Sequence, residues 1–234
     1  MSQRKFLRQI GDFNGLLGHF DNAWHFMTNP DAWRTHSLRW TDTRPWGLDN
    51  GAFEIRGFPA DKLLDILRFL KQYPPKNLLF VAAPDSVRPR SAAITLKLWK
   101  EWEPRIHEAG LKAAYVLQDG QKFVEPPWDE LDTLFVGGSD LFRASNTCLE
   151  LVREAQKRRK WVHFGRANRL SYLTMALRMG MDSIDSMAFC YDRATLLRVI
   201  HIVQHYEQTG QIVNIQRLQT LINRTTSKRT VTRR

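Results

Sequence analysis

Cysteine is scarce in this chain of 234 residues, which contains only Cys148 and Cys190. Two cysteines without a Cys-x-x-Cys spacing provide neither a disulfide framework nor a structural zinc site. Four histidines also show no spacing typical of metal ligands: His19, His25, His36 and His107. We therefore expect free thiols, no bound metal and no cofactor.

Long hydrophobic runs are also missing. No segment approaches the roughly 18 consecutive apolar residues of a membrane span. The first five residues, Met-Ser-Gln-Arg-Lys, lack the apolar core of a signal peptide. These two observations predict a cytoplasmic protein that does not span a membrane.

Acidic residues are outnumbered by basic ones. The chain has 35 Lys and Arg residues against 24 Asp and Glu residues, a formal net charge of +11. Such an excess favours a polyanionic partner over an acidic small molecule. Nucleic acid is the first candidate, and an anionic membrane surface is the alternative.

The hydrophobic pattern predicts one α/β domain over residues 1–222, followed by a basic tail at 223–234 that contains no acidic residue. Short strands alternate with amphipathic helices in a spacing typical of parallel βαβ units. Six strands are predicted, near Trp46 and at 78–83, 112–117, 133–136, 161–164 and 183–185.

A single-domain (β/α)8 barrel of the TIM type needs two further strands. We expect one before Asp49, for which 16–20 is a candidate, and one after the predicted helix 192–208, for which 211–215 is a candidate. An open doubly wound sheet is the alternative. It is less favoured because no glycine-rich dinucleotide loop follows the first strand.

Polar residues and glycines recur where the predicted strands end. They are Asp49, Asp85, Gln118, Gly137 with Gly138, Gly165 with Arg166, and Asp185. In a barrel these positions meet at one mouth. Three carboxylates, an amide and glycine turns match a purine with a lactam edge, because carboxylates accept from N1–H and the exocyclic amine while amide groups donate to O6.

Six short motifs carry a family resemblance across roughly residues 46–189. They are Leu-Asp-Asn-Gly-Ala-Phe, Val-Ala-Ala-Pro-Asp, Leu-Gln-Asp-Gly, Phe-Val-Gly-Gly-Ser, Val-His-Phe-Gly-Arg and Asp-Ser-Ile-Asp-Ser, in this order at successive strand ends. With these motifs the chain resembles the tRNA-guanine transglycosylase superfamily. It is most similar to the zinc-less branch associated with 7-deazaguanine modification of phage and bacterial DNA.

The resemblance implies a role for each matched position. Asp185 would be the nucleophile that attacks C1′ and forms a covalent glycosyl ester, with retention of configuration after a second displacement. Asp49 would be the general acid and base. The implied base-binding residues are Asn50, Phe53, Asp85, Gln118, Gly137, Gly138, Val162, His163 and Gly165, with Phe53 and Val162 on the two faces of the ring. Asp182 is the alternative nucleophile, but the family motif places the nucleophile after the hydrophobic residue Ile184.

The chain departs from the tRNA enzymes in ways that bear on the substrate. Its two cysteines cannot build their zinc subdomain, which contributes a tRNA contact surface, and Asn50 and Ser186 stand where those enzymes usually have Ser and Cys. The resemblance therefore favours guanine exchange in DNA for a 7-deazaguanine base, in the host cytoplasm if a phage encodes the protein. Exchange on tRNA, and a non-catalytic module that binds nucleic acid or modified bases, are the alternatives.

Basic residues are the candidates for phosphate contacts. Arg166 lies at a strand end, and a run near the end of a predicted helix adds Arg153, Lys157, Arg158, Arg159 and Lys160. Such contacts would offset the cost of about a few kcal/mol for moving the target base out of a duplex. The sequence does not exclude a homodimer.

Overall fold

Parallel strands form the centre of the protein in a computed structural model, which describes residues 7–11, 24–30, 33, 45–52, 58–186 and 193–212. The strands are β1 (Leu7–Gly11), β2 (Trp24–Thr28), β3 (Trp46–Leu48), β4 (Leu78–Ala82), β5 (Ala113–Leu117), β6 (Thr133–Val136), β7 (Trp161–Phe164) and β8 (Ser183–Asp185). They pair in chain order, and β1 pairs with β8 so that the sheet closes on itself.

An α-helix follows each strand from β3 onward except β5, which is followed by a 3-10 turn. The helices are α1 (Ala60–Gln72), α2 (Ala92–Glu108), the short α3 (Asp140–Arg143), α4 (Asn146–Lys157), α5 (Leu170–Arg178) and α6 (Arg193–Thr209), with the 3-10 turn at Gln121–Phe123. The α/β class and the parallel sheet wrapped into a TIM-like barrel are thereby confirmed.

The two strands missing from the sequence prediction both precede Asp49. They are β1 and β2, which are hard to detect because neither is a continuous run of apolar residues like β4 or β5. The strand expected at 211–215 is not needed to close the barrel, since β1 pairs with β8. Gln211 and Ile212 form no strand, and 213–215 lie outside the described residues, as do 16–20 and the tail 223–234.

Side chains alternate between two hydrophobic layers. On the outer face of the sheet, residues such as Val136, Phe164 and Ile184 pack against the helices. On the inner face, a smaller cluster that includes Phe80 and Phe135 fills the barrel. This alternation follows from the period of two along a strand, and it decides which residue beyond each strand end points into the mouth.

Helix α5 fixes the approach to β8. Its residues Leu173, Ala176 and Leu177 are buried against the sheet as the helical spacing predicts. Gly180 then adopts a positive φ of 64°, which ends the helix and turns the chain toward β8. Asp185 is therefore positioned by a helix anchored in the core.

Replacement of Leu173 by alanine is expected to lower the free energy of unfolding by about 2–5 kcal/mol, because its side chain is fully buried and a cavity would remain. Leu197→Ala is the matched control, since 51% of that residue is exposed. Urea unfolding followed by circular dichroism measures both. Equal losses in the two variants would contradict the packing of α5 against the sheet.

Candidate active site

The strand ends bring polar groups together at the carboxyl edge of the barrel. Ala114 and Val116 of β5 point inward, so the next inward position is Gln118, which is 1% exposed. The same alternation directs Asp185 into the mouth, since Ile184 before it packs outward. The prediction that these strand ends share one edge is confirmed by the parallel pairing of their strands.

Asp49 has an ionisation unlike that of an ordinary carboxyl group. Burial, followed by the negative charges of Asp185 and Asp85, raises its pKa from 3.8 to about 7. The Asn50 N–H donates to Asp49 Oδ1 at 2.8 Å and opposes this shift only in part. A group with this pKa can both donate and accept a proton near neutral pH.

Asp85 is 7% exposed and is held between two amide side chains. Asn50 Nδ2 donates to its Oδ1 at 2.7 Å and also to the carbonyl oxygen of Ala83 at 2.8 Å. Gln118 Nε2 donates to Asp85 Oδ2. Burial raises the pKa of Asp85, while the two amide hydrogen bonds lower it. The site thus contains the carboxylate and amide pair expected to read a lactam edge.

Asp185 is oriented through one of its two carboxylate oxygens. The Arg166 N–H donates to Oδ1 at 2.8 Å, and His163 Nε2 lies 3.0 Å from the same atom. The Asp185 side chain is 17% exposed. Among the described residues, no hydrogen bond to Oδ2 accompanies these two, so Oδ2 is the oxygen that remains for a ligand.

Asp182, the alternative nucleophile, lies at the other end of β8. Its Oδ2 accepts the Val162 N–H at 2.8 Å, which ties β7 to the start of β8. Because it precedes β8, it lies at the amino edge of the barrel, whereas Asp185 lies at the mouth. Asp182 therefore supports the sheet at the amino edge, away from the mouth.

Two glycines keep the turn after β6 free of side chains. A Cβ on Gly137 would come within 2.8 Å of the Leu117 carbonyl oxygen, and Gly138 has a positive φ of 74°. Asp119 supports this turn by accepting from the N–H and the hydroxyl of Ser139 at 2.7 and 2.6 Å. Main-chain groups therefore form this part of the wall, and Asp119 has a structural role.

Gly165 also stands where a side chain cannot fit, because a Cβ there would overlap the ring of Phe135. The following residue, Arg166, has a φ of 53° and reaches across the mouth, where its guanidinium donates to the Gly138 carbonyl oxygen at 3.2 Å. Burial lowers the pKa of Arg166, and Asp185 and Asp85 oppose that shift. Arg166 is thus a lining residue of the mouth itself.

Val162 does not lie at the mouth, where it would have to lie to contact one face of the base. It is fully buried in the layer between the sheet and the helices. Because side chains alternate along β7, it is the neighbour His163 that points inward. The assignment of Val162 to one face of the base is therefore corrected. Phe53, assigned to the other face, lies outside the described residues.

The basic run at residues 153–160 is not at the mouth either. Helix α4 runs antiparallel to the strands, so Lys157, Arg158, Arg159 and Lys160 lie near the start of β7, at the amino edge. Arg158 binds Glu154 at 2.8 Å and lies over the Trp128 ring at 5.3 Å. Arg153 and Lys157 line a surface cavity together with Lys122 and Phe123, outside the group of three carboxylates.

Exposed residues on the loops after β4, β5 and β6 form a rim that the sequence prediction missed. The rim contains the cations Arg88, Arg90 and Lys122, and the exposed apolar side chains Val87, Phe123 and Leu141. Phe123 and Leu141 are 85% and 87% exposed. These residues are scattered along the chain, so only their position after successive strands could have identified them.

Arg143 is a second residue that sequence reasoning missed. It is 4% exposed, and its guanidinium donates to the Gly165 carbonyl oxygen at 2.9 Å and binds Asp140 at 2.8 Å. It also lies over the Tyr172 ring at 5.0 Å. Arg143 therefore holds the turn that presents the Arg166 N–H to Asp185. No sequence signal distinguishes it from a surface arginine.

No protein-family model matches this chain, and no curated protein matches it. Within the described ranges, no group of three or more His, Cys, Asp or Glu side chains is arranged to hold a metal ion. No helix in that part of the chain is long and apolar enough to cross a membrane.

Replacement of Asp49 by asparagine is expected to stabilise the protein above about pH 7. The native carboxyl keeps its proton up to about pH 7, whereas the unfolded chain releases it near the ordinary value of 3.8. The native state therefore binds more protons between these values, and stability falls as pH rises through them. The gain from Asp49→Asn is at most about 4 kcal/mol at pH 8 and disappears below about pH 4.

Urea unfolding of the wild type and of Asp49→Asn across this pH range measures the effect. Asp129→Asn is the matched control, because that side chain is fully exposed. A gain that does not change with pH would show that the carboxyl of Asp49 is not the titrating group.

Proposed function

We propose that this protein exchanges guanine in DNA for a 7-deazaguanine base through a covalent Asp185 glycosyl intermediate, on a single-domain (β/α)8 barrel. The observation that carries the proposal is the pairing of Asp185, whose Oδ2 is open to the mouth, with Asp49, whose pKa is raised to about 7 beside it. A nucleophile and an acid/base group in one mouth are what a double displacement at C1′ requires. The six strand-end motifs support the same reaction class.

In the first displacement, Asp185 Oδ2 attacks C1′ of the target nucleoside. The C–O ester bond forms as the bond between C1′ and N9 of guanine breaks, and the electron pair of that bond goes to the leaving base. Asp49 in its protonated form supplies a proton to the departing guanine. The raised pKa of Asp49 makes this form available near neutral pH.

In the second displacement, the incoming 7-deazaguanine loses its N9 proton to the Asp49 carboxylate. Its N9 then attacks C1′ from the face opposite to the ester, and the bond between C1′ and Asp185 breaks to return the free carboxylate. Two inversions at one carbon retain the configuration of the nucleoside. The two half-reactions together leave Asp49 and Asp185 as they began.

The base-recognition part of the proposal rests on Asp85 and Gln118. In the structure, the Gln118 amide donates to Asp85, so the carboxylate is occupied by a protein donor. A guanine-like base would replace that donor with its N1–H and its amine, which frees Gln118 Nε2 to donate to O6. The turn at Gly137 and Gly138, which has no side chains, would bring main-chain N–H donors close to the same edge of the base.

DNA is the proposed polymer because of charge and of the missing zinc module. The net charge of +11 favours a nucleic acid, and two cysteines cannot form the subdomain with which the similar tRNA enzymes contact tRNA. We place the DNA strand on the rim after β4, β5 and β6. Its cations can contact phosphates, and Phe123 can stack on an unpaired base.

Replacement of Asp185 by asparagine is expected to abolish incorporation of labelled guanine or 7-cyano-7-deazaguanine into DNA, because an amide cannot form the glycosyl ester. The measurement is label in precipitated DNA, together with the covalent protein–DNA adduct on a denaturing gel. Asp182→Asn is the matched control and should keep activity, since its carboxylate supports β7 at the other edge.

The same assay separates the alternatives. Label in tRNA but not in DNA would change the polymer while keeping the chemistry. Nucleic-acid binding without adduct or label in either polymer would overturn the proposed exchange and favour a non-catalytic binding module.

Removal of two rim charges, by Arg88→Gln and Arg90→Gln together, is expected to weaken DNA binding. Each lost phosphate contact should reduce the slope of log K against log salt by about 1. The matched control is Arg159→Gln with Lys160→Gln, which removes the same charge just beyond the end of α4. Fluorescence anisotropy over a salt series measures both, and a larger effect in the control variant would contradict the placement of DNA on the rim.

A further inference from the structure

A hydrogen-bonded chain runs through the interior of the barrel and ends on Asp185. Trp161 Nε1 donates to Ser183 Oγ at 2.9 Å, Ser183 Oγ lies 2.8 Å from His163 Nδ1, and His163 Nε2 lies 3.0 Å from Asp185 Oδ1. Neither Ser183 nor His163 is exposed at all. The chain joins two neighbouring strands, since His163 and Ser183 are register partners in β7 and β8.

The chemistry of the four groups fixes the direction of every hydrogen bond. An indole N–H can only donate, so Ser183 Oγ accepts from Trp161. An ionised carboxylate can only accept, so His163 donates from Nε2 to Asp185. The remaining hydroxyl hydrogen of Ser183 then has one described partner, the lone pair of His163 Nδ1. The imidazole is thereby held as the neutral tautomer with its proton on Nε2.

Packing holds the imidazole in place as well. The His163 ring lies 4.5 Å from the Phe135 ring and 5.1 Å from the Phe80 ring, between centroids. These contacts leave the ring little room to turn. A protonated imidazole would need an acceptor at Nδ1, and Ser183 could serve only by leaving its own buried hydrogen without a partner, which costs about 1–3 kcal/mol.

We propose that Trp161, Ser183 and His163 are positioning residues that fix the Asp185 carboxylate through Oδ1 and so direct Oδ2 at the reacting carbon. This role deepens the proposed function and rests on Asp185 as the nucleophile. The Arg166 N–H on the same Oδ1 completes the arrangement, because two donors on one oxygen define the plane of the carboxylate. None of the three residues touches the substrate, so the expected contact of His163 with the base is corrected: the residue is fully buried beneath Asp185.

The tautomer can be measured without any enzymatic activity. Long-range proton–nitrogen correlation spectra of protein labelled with 15N-histidine distinguish the Nε2–H, Nδ1–H and doubly protonated forms. The His163 signal is assigned as the one that disappears in His163→Gln. We expect the Nε2–H form in the wild type. The Nδ1–H or doubly protonated form at neutral pH would overturn the proposal.

The kinetic test uses Ser183→Ala, which removes both the acceptor for Trp161 and the donor to His163. We expect the rate of adduct formation to fall about tenfold to a hundredfold, the equivalent of one buried hydrogen bond, with the KM for the free base unchanged. Ser183→Thr restores the hydroxyl and should recover most of the rate. Trp161→Phe, which leaves the hydroxyl in place, should have a smaller effect.

Thr174→Val is the matched control, because it removes a buried hydroxyl that donates to the Ser171 carbonyl oxygen in α5, outside the barrel. It should change stability but not the rate. An unchanged rate in a folded Ser183→Ala protein would overturn the positioning role. Wild-type protein that makes no adduct but shows the Nε2–H form would overturn the exchange reaction, and the positioning role with it, while the tautomer assignment would stand.

Discussion

The gathering of three carboxyl groups in one partly enclosed mouth is the constraint on which the rest of the site depends. When negative charges lie this close to one another and away from bulk water, each opposes the ionisation of the others unless hydrogen-bond donors offset the repulsion. The donors are unequally distributed. Asp85 receives two amide groups and Asp185 receives a main-chain N–H and an imidazole, whereas Asp49 receives main-chain N–H groups that only partly oppose its shift. Burial, followed by the charges of Asp185 and Asp85, therefore raises the pKa of Asp49 to about 7, and three chemically identical side chains become different reagents.

Barrel geometry makes that unequal distribution possible. Parallel strands place their carboxyl ends on one edge, and the alternation along each strand selects a single inward residue at each end. The same alternation buries His163 below the mouth among aromatic rings. A buried imidazole is tolerated there because both of its nitrogens have partners, which removes the penalty for burying a polar group alone. The support beneath Asp185 is thus part of the barrel interior and not of a loop.

The basic residues fall into two groups, one near the end of α4 and one on the strand-to-helix loops. A helix that follows a parallel strand returns to the opposite edge, so the dense basic run at the end of α4 lies far from the mouth along the barrel axis. The cations on the strand-to-helix loops are fewer and scattered in sequence, yet these loops follow the strand ends that carry the three carboxylates. For a protein proposed to act on a polyanion, proximity to the reacting groups matters more than local charge density, because screening limits an exposed charge to about 10 Å.

Local patterns determined a large part of this protein. Hydrophobic periodicity identified six of the strands and the helices between them, and the residues after those strands named Asp49, Asp85, Gln118 and Asp185 as one site. These inferences succeed because the direction of a side chain in a strand is set by neighbours in sequence. Hydrophobic periodicity did not reveal β1 and β2, since a short strand interrupted by polar residues is stabilised by its pairing with other strands.

Only the tertiary structure decided how the site is tuned. The raised pKa of Asp49 depends on two carboxylates from other strands, and the orientation of Asp185 depends on His163, Arg166 and, through the turn that it holds, Arg143. Val162 was wrongly assigned to one face of the base because a motif match does not say which face of a strand a residue occupies. Electrostatic and hydrogen-bond energies depend on distances through space, and a linear sequence does not contain those distances until the sheet has closed.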